Sequence, residues 1–127
     1  MDTKKKTQEV GLWLLQISAA AIFAMTGYLK LSGAEMPVHL FDAIGFGQWF
    51  RYFTGGLELT GAILLLIPAL SGVASALMIP VMIGAIGAHL FVVGGSPAIP
   101  IALLFSMAVV TFGRKERTLK LFGLAKP

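Results

Sequence analysis

The sequence predicts an all-α fold, a transmembrane four-helix up-down bundle. Three observations carry this. Of 127 residues, 57% are hydrophobic and 13% charged, which leaves too little polar surface for a soluble domain of this size. Apolar runs of about 20 residues, the length of a spanning helix, recur and nearly exhaust the chain. The connections between them are mostly short, which favours antiparallel neighbours. A single integral membrane domain over residues 1–127 follows, with no room for a separate soluble one.

The first span is expected over Gly11 to Leu29, "GLWLLQISAAAIFAMTGYL". With "KKK" before it, it mimics a signal peptide. Its apolar stretch is longer than the usual signal core, so it reads as a retained helix. The second span is expected over Trp49 to Ala69, closed by Pro68 and "SGV". The third runs from Val73 to Val93, with Pro80 inside it. "GGSP" then breaks the chain, with Ser96 as N-cap and Pro97 at the first helical position of a fourth span ending at Phe112. The one long connection, Ser32 to Gln48, holds "EMPVHLFDAIGFG". Pro37 could open a short helix and Gly45 close it, with Leu40, Phe41 and Ile44 on one face. An interfacial helix over the mouth of the bundle and an unstructured amphipathic loop are both open readings.

The net charge is +4. Its basic residues gather at the two ends, Lys4 to Lys6 and Arg114, Lys115, Arg117, Lys120 and Lys126. That placement suits topology signals and lipid headgroups, not nucleic acid. An even number of spans puts both termini on one side, and the positive-inside rule makes that side cytoplasmic, in a bacterial-type plasma membrane. There is no cysteine, so thiol redox chemistry, iron–sulfur ligation and covalent c-type haem are excluded within this sequence. Two histidines without paired spacing give no metal signature.

Helical spacing sorts the faces. Gln16, Ala20, Phe23, Gly27 and Lys30 share one face of the first span. Arg51, Thr54, Gly55, Glu58, Gly61 and Ala62 share one face of the second. Gly72, Ala76, Pro80, Gly84 and Ala88 recur every four residues in the third. This stripe reads as a packing seam, with a substrate-lined groove as the sharper alternative. Lys30, Arg51, Glu58 and His89 all fall in the half away from the termini, and no comparable cluster is expected in the other half. A carboxylate inside lipid is costly. Glu58 should therefore face a basic partner, Lys30 first, with His89 at a compatible depth and Arg51 two turns away. Glu58 and His89 are the candidate acid–base pair. Lys30, Arg51 and Trp49 are the candidate substrate contacts. Each has a plainer role: Glu58 with Lys30 as a structural ion pair, His89 as a hydrogen-bonded core residue, Arg51 as a snorkelling side chain, Trp49 as an interface anchor. His39 reads as a loop residue.

The segments "GYLKLSG", "FDAIGFG", "GGLELTGAILLL" and "IGAIGAHL", in this order, resemble the DoxX-like family of small bacterial membrane proteins. The resemblance covers nearly the whole sequence. It implies a four-helix transmembrane bundle, and it marks Gly27, Lys30, Gly45, Glu58 and His89 as family-pattern positions. Relatives are associated with thiosulfate:quinone oxidoreductases and membrane-anchored redox complexes. Two functions compete. One is a membrane subunit or accessory protein of a redox system that contacts quinone through the polar cluster, with a soluble or membrane oxidoreductase as partner. The other is a self-contained isomerase, cyclase or hydrolase that uses Glu58 and His89 on a lipophilic substrate. Whether the chain is an enzyme at all stays open at this stage, as does a homo-oligomer. A transporter would show polar groups through the full depth and repeated halves, and neither is present.

Overall fold

The computed structural model describes residues 3–124, all of whose regular elements are helical. The elements are α1 (Thr3–Ser32), α2 (Glu35–Ile44), α3 (Trp49–Leu65), α4 (Ser71–Ala88), continued by a π turn at His89–Val93, then α5 (Ala98–Gly113) and α6 (Lys115–Leu121). The four long helices α1, α3, α4 and α5 pack in chain order, and α5 closes back onto α1. Gln16 meets the end of α3 at Leu65, while Gly27 meets its start at Gly55, so α1 and α3 are antiparallel. Gly61 on Met78, Ser75 on Thr111 and Leu12 on Gly113 give the same sense to the remaining neighbours. The expected up-down bundle is present.

Side-chain burial explains this arrangement. The buried face of α1 is Gln16, Ala19, Ala20, Phe23 and Gly27, and that of α3 is Arg51, Gly55, Glu58, Gly61, Ala62 and Leu65. Both match the faces expected from spacing. Glycines let α1 and α3 approach closely. A Cβ at Gly27 would stand 2.9 Å from the Gly55 carbonyl oxygen, and one at Gly55 would stand 2.8 Å from Lys30 Cβ. Small residues substitute here for the hydrophobic drive that helices in lipid lack.

The α4 stripe is a correction. Gly72 is buried against α6, but Ala76, Pro80 and Gly84 are exposed, and a Cβ at Gly84 would meet nothing within 4 Å. The packed face of α4 is Ser71, Ala74, Ser75, Met78 and Met82. Lipid accepts small residues as readily as a neighbouring helix does, so a four-residue period of alanine and glycine does not by itself mark a contact. Pro80 lies within the helix without ending it.

α1 (30 residues) and Ser71–Val93 (23 residues) are long and apolar enough to cross a membrane. α3 has 17 residues and α5 has 16, or about 25 Å each at 1.5 Å per residue, a little less than the ~30 Å hydrocarbon core. α5 begins one residue later than expected, at Ala98, whose N–H donates to Ser96 Oγ at 3.2 Å. The long connection folds as α2, which places His39 on a helix. α2 lies against the π turn, the start of α3 and the end of α1, so it covers the end of the bundle remote from the termini. Phe41 is its buried residue, and Gly45 ends it in the left-handed conformation (φ 86°), donating to Phe41 O. A side chain at that φ would be strained.

Candidate functional site

Glu58 sits on the third turn of α3, facing α1. Its side chain is 4% exposed, and Lys30 Nζ lies 2.5 Å from Oε1. Thr26, one turn before Lys30, donates its hydroxyl to Oε2 at 2.7 Å. Gly55 makes this reach possible, because the Lys30 stem lies flat against the missing side chain. The Lys30 contact is a charge contact, since Oε1 has no aligned hydrogen-bond donor. Lys30 remains 15% exposed, so one side of the pair is open. The carboxylate is answered from α1 alone.

Arg51 is buried, one helix end above this pair. Its Nη1 donates to the Lys30 carbonyl, and its Nε donates to Gln48 Oε1 at 2.6 Å. Gln48 Nε2 in turn donates to Val38 O of α2 at 3.1 Å. A guanidinium suits this task, since its fork serves two acceptors from different elements. Arg51 therefore joins the end of α1, the start of α3 and the covering helix, and it does not merely reach out to headgroups.

His89 opens the π turn. Its Nδ1 contacts Ala85 O on its own helix at 2.9 Å, and no hydrogen bond or ion pair joins it to Glu58 among the described residues. Trp49 is 64% exposed and packs on Phe50 and Phe53 in an aromatic cluster at the surface. So the structure brings Lys30 and Glu58 together and sets Arg51 next to them, while the contacts of His89 and Trp49 lie elsewhere. Two shallow grooves open on the flanks of the bundle. One runs between α3 and α4 at Leu57, Gly61 and Met78, the other between α1 and α5 at Leu15, Ile22 and Leu103; neither is lined by a candidate residue.

The end near the termini holds a second polar centre, contrary to the expectation that none exists there. Arg114 is buried, with its side chain 3% exposed. Its Nε donates to Gln16 Oε1 and its Nη1 to Glu9 Oε2, both at 2.7 Å. Gln16 Nε2 then donates to Leu65 O at 2.8 Å, satisfying a carbonyl that the end of α3 leaves free. Glu9 also receives Trp13 Nε1 at 3.1 Å and Arg117 Nη2 at 3.3 Å. The polar first turns of α1, through Glu9, precede the apolar stretch that begins at Val10. The Arg114 hydrogen bond, with both guanidinium charges, holds the Glu9 carboxyl below the usual carboxylate range despite some desolvation. Gln16 was the available clue, because an amide in the middle of an apolar run needs a partner. Thr26 was also missed, though it shares the face of Phe23 and Lys30.

Long apolar helices packed side by side, with charged groups sunk only where a neighbouring element answers them, define an integral membrane protein. This chain belongs to the DoxX-like family, which matches residues 14–112. It is also 30% identical over 81 residues to a Bacillus subtilis (strain 168) protein named "Putative oxidoreductase CatD". That alignment covers 64% of this chain and 60% of the relative, so the chain spans well under two thirds of the relative's length. No solved structure matches. The family match contains Lys30, Arg51, Glu58 and His89 but stops short of Glu9 and Arg114.

Proposed function

We propose that this protein is a membrane component of a redox system, contacting a quinone-type carrier through the Lys30–Glu58 centre while an oxidoreductase partner supplies the electrons. The observation behind this reading is the buried carboxylate itself. Glu58 is kept in an apolar bundle by one lysine whose side chain is still partly open. Reducing a quinone to a quinol takes up two electrons and two protons. An ammonium can donate a hydrogen bond to a quinone oxygen, and a carboxylate can relay protons. The named relative supports the redox setting, and the cysteine-free sequence assigns the electron carrier to another molecule. In this reading all four long helices cross a bacterial plasma membrane with both termini cytoplasmic, and the bilayer thins slightly around the short α3 and α5.

The test is quinone content and titration in detergent-purified protein. Bound quinone should accompany the wild type. The paired replacement Lys30→Met with Glu58→Gln removes the charges without stranding one, so it should fold yet bind about tenfold more weakly, as for a lost charged hydrogen bond. Background quinone in the wild type, together with turnover of an added lipophilic compound by the protein alone, would instead point to a self-contained enzyme. The geometry gives that alternative less, because the bond from His89 goes to its own helix.

A further inference from the structure

α6 departs from α5 at a bend of 62° immediately after the apolar run ends. It is anchored from one side. Arg117 reaches Glu9 and the Pro68 carbonyl, and Thr118 lies against Gly72, where even a Cβ would collide. The other side is uncovered. Leu119, Leu121, Phe122 and Leu124 are exposed, the last two by 64% and 72%. Lys115 and Lys120 stand among them and are exposed, and Lys115 Nζ lies 4.3 Å over the Phe112 ring at the edge of the bundle. The first turns of α1, bearing Lys4 to Lys6, come to the same end through Glu9.

We infer that α6 lies flat in the membrane interface as a docking surface for anionic phospholipid, with its lysines on headgroup phosphates and its uncovered leucines and Phe122 in the acyl boundary. Two features favour lipid over an acidic protein. The uncovered apolar side chains follow directly on the last apolar residues of α5, at the depth where a bilayer's polar boundary begins. The lysine–phenylalanine contact is the posture of a long cationic side chain whose stem covers apolar surface while its head stays with phosphate. The Glu9–Arg114–Arg117 network fixes the angle at which α6 leaves the bundle, so the surface exists before lipid arrives. Basic residues close to an anionic membrane each strengthen attraction modestly, and several held on one rigid element act together.

Trp13 supplies the probe. Replacing Trp49 by Phe leaves Trp13, at the Glu9–Arg114 centre, as the single tryptophan. The full chain would be reconstituted in vesicles containing brominated phosphatidylglycerol or brominated phosphatidylcholine at equal mole fraction. Quenching of Trp13 should favour the anionic lipid by about threefold or more. The preference should collapse toward unity in Lys115→Gln with Lys120→Gln, which leaves the Glu9 network intact, and in 0.5 M sodium chloride as an added screening arm, because the Debye length there is only ~4 Å. Equal quenching by both lipids would overturn the inference. So would a preference that survives the double replacement in protein with an unchanged melt. Inorganic phosphate at matched ionic strength should compete no better than chloride, and stronger competition would replace a lipid surface with a free-anion site.

Discussion

The two polar centres sit at opposite ends of the same helices and are built on opposite plans. At the far end, one carboxylate meets one lysine and one hydroxyl, all from α1, across a glycine-lined crossing. At the terminal end, one guanidinium gathers Glu9 and Gln16, and Gln16 and Arg117 carry the network on to the end of α3 and the turn after it. The first arrangement depends on a single charge contact. The second spreads its cost over several aligned hydrogen bonds, beside basic side chains that water reaches. A concentrated pair is fragile to any one loss but leaves a reactive group in reserve, whereas a distributed network holds shape. The difference suits chemistry at Glu58 and architecture at Arg114.

The sharpest way to break this comparison is to remove Lys30. Lys30→Met leaves Glu58 buried and uncompensated, and should cost about 3–5 kcal/mol, toward the lower end because Lys30 is partly open. Adding Glu58→Gln should return most of that stability in detergent melts. A double variant no more stable than Lys30→Met would show that the two side chains are not coupled. Next in size is Arg114→Met, which strands Glu9 and Gln16. Hydrogen bonds to charged groups are worth about 1.5–3 kcal/mol each net, so a loss of about 3 kcal/mol is expected. Arg114→Lys should recover only part, because an ammonium cannot span both acceptors. Equal stability of the lysine variant and the wild type would remove the geometric argument.

A smaller effect separates the helix crossing from the misread stripe. Gly55→Ala should cost about 1–3 kcal/mol, since its methyl would displace the Lys30 stem. Gly84→Ala faces open space and should leave the melt unchanged or slightly raised. The smallest effect is a pH dependence at the terminal end. The carboxyl of Glu9 is depressed in the folded protein. Its contribution is therefore fully present above the ordinary carboxylate range and lost as pH falls through the folded value. Melts of the wild type should decline toward pH 3 more steeply than those of Glu9→Gln, and parallel curves would sink this assignment.

The inward faces of α1 and α3 were legible because each buries one stripe of small and polar residues at helical spacing, and lipid penalises any other placement of Glu58. The same logic failed on α4, where Ala76, Pro80 and Gly84 carry no polar group and so nothing forces them inward. Depth was legible for His89, since counting residues along a span fixes height, but its partner was not: the choice of Ala85 belongs to local backbone geometry. Arg114 was hidden by its neighbours. Among Lys115, Arg117 and Lys120 it reads as one more headgroup contact, and only packing against Gln16, far away in the sequence, distinguishes it. For α2 both readings were open, and the cover that Phe41 finds on the bundle decided for a helix.

The π turn at His89–Val93 has a consequence for how such a protein can change over time. A π turn winds one more residue into a turn than an α-helix does, so a single inserted residue is absorbed locally without breaking the span. Deleting one residue there would restore regular winding, keep the helix in its place, and turn whatever follows by roughly one residue's rotation, about 100°. The aim of the side chains at the end of α4, beneath the covering helix, is thus adjustable by a change in length as well as by substitution. Two related chains with the same residues at this end could present them in different directions.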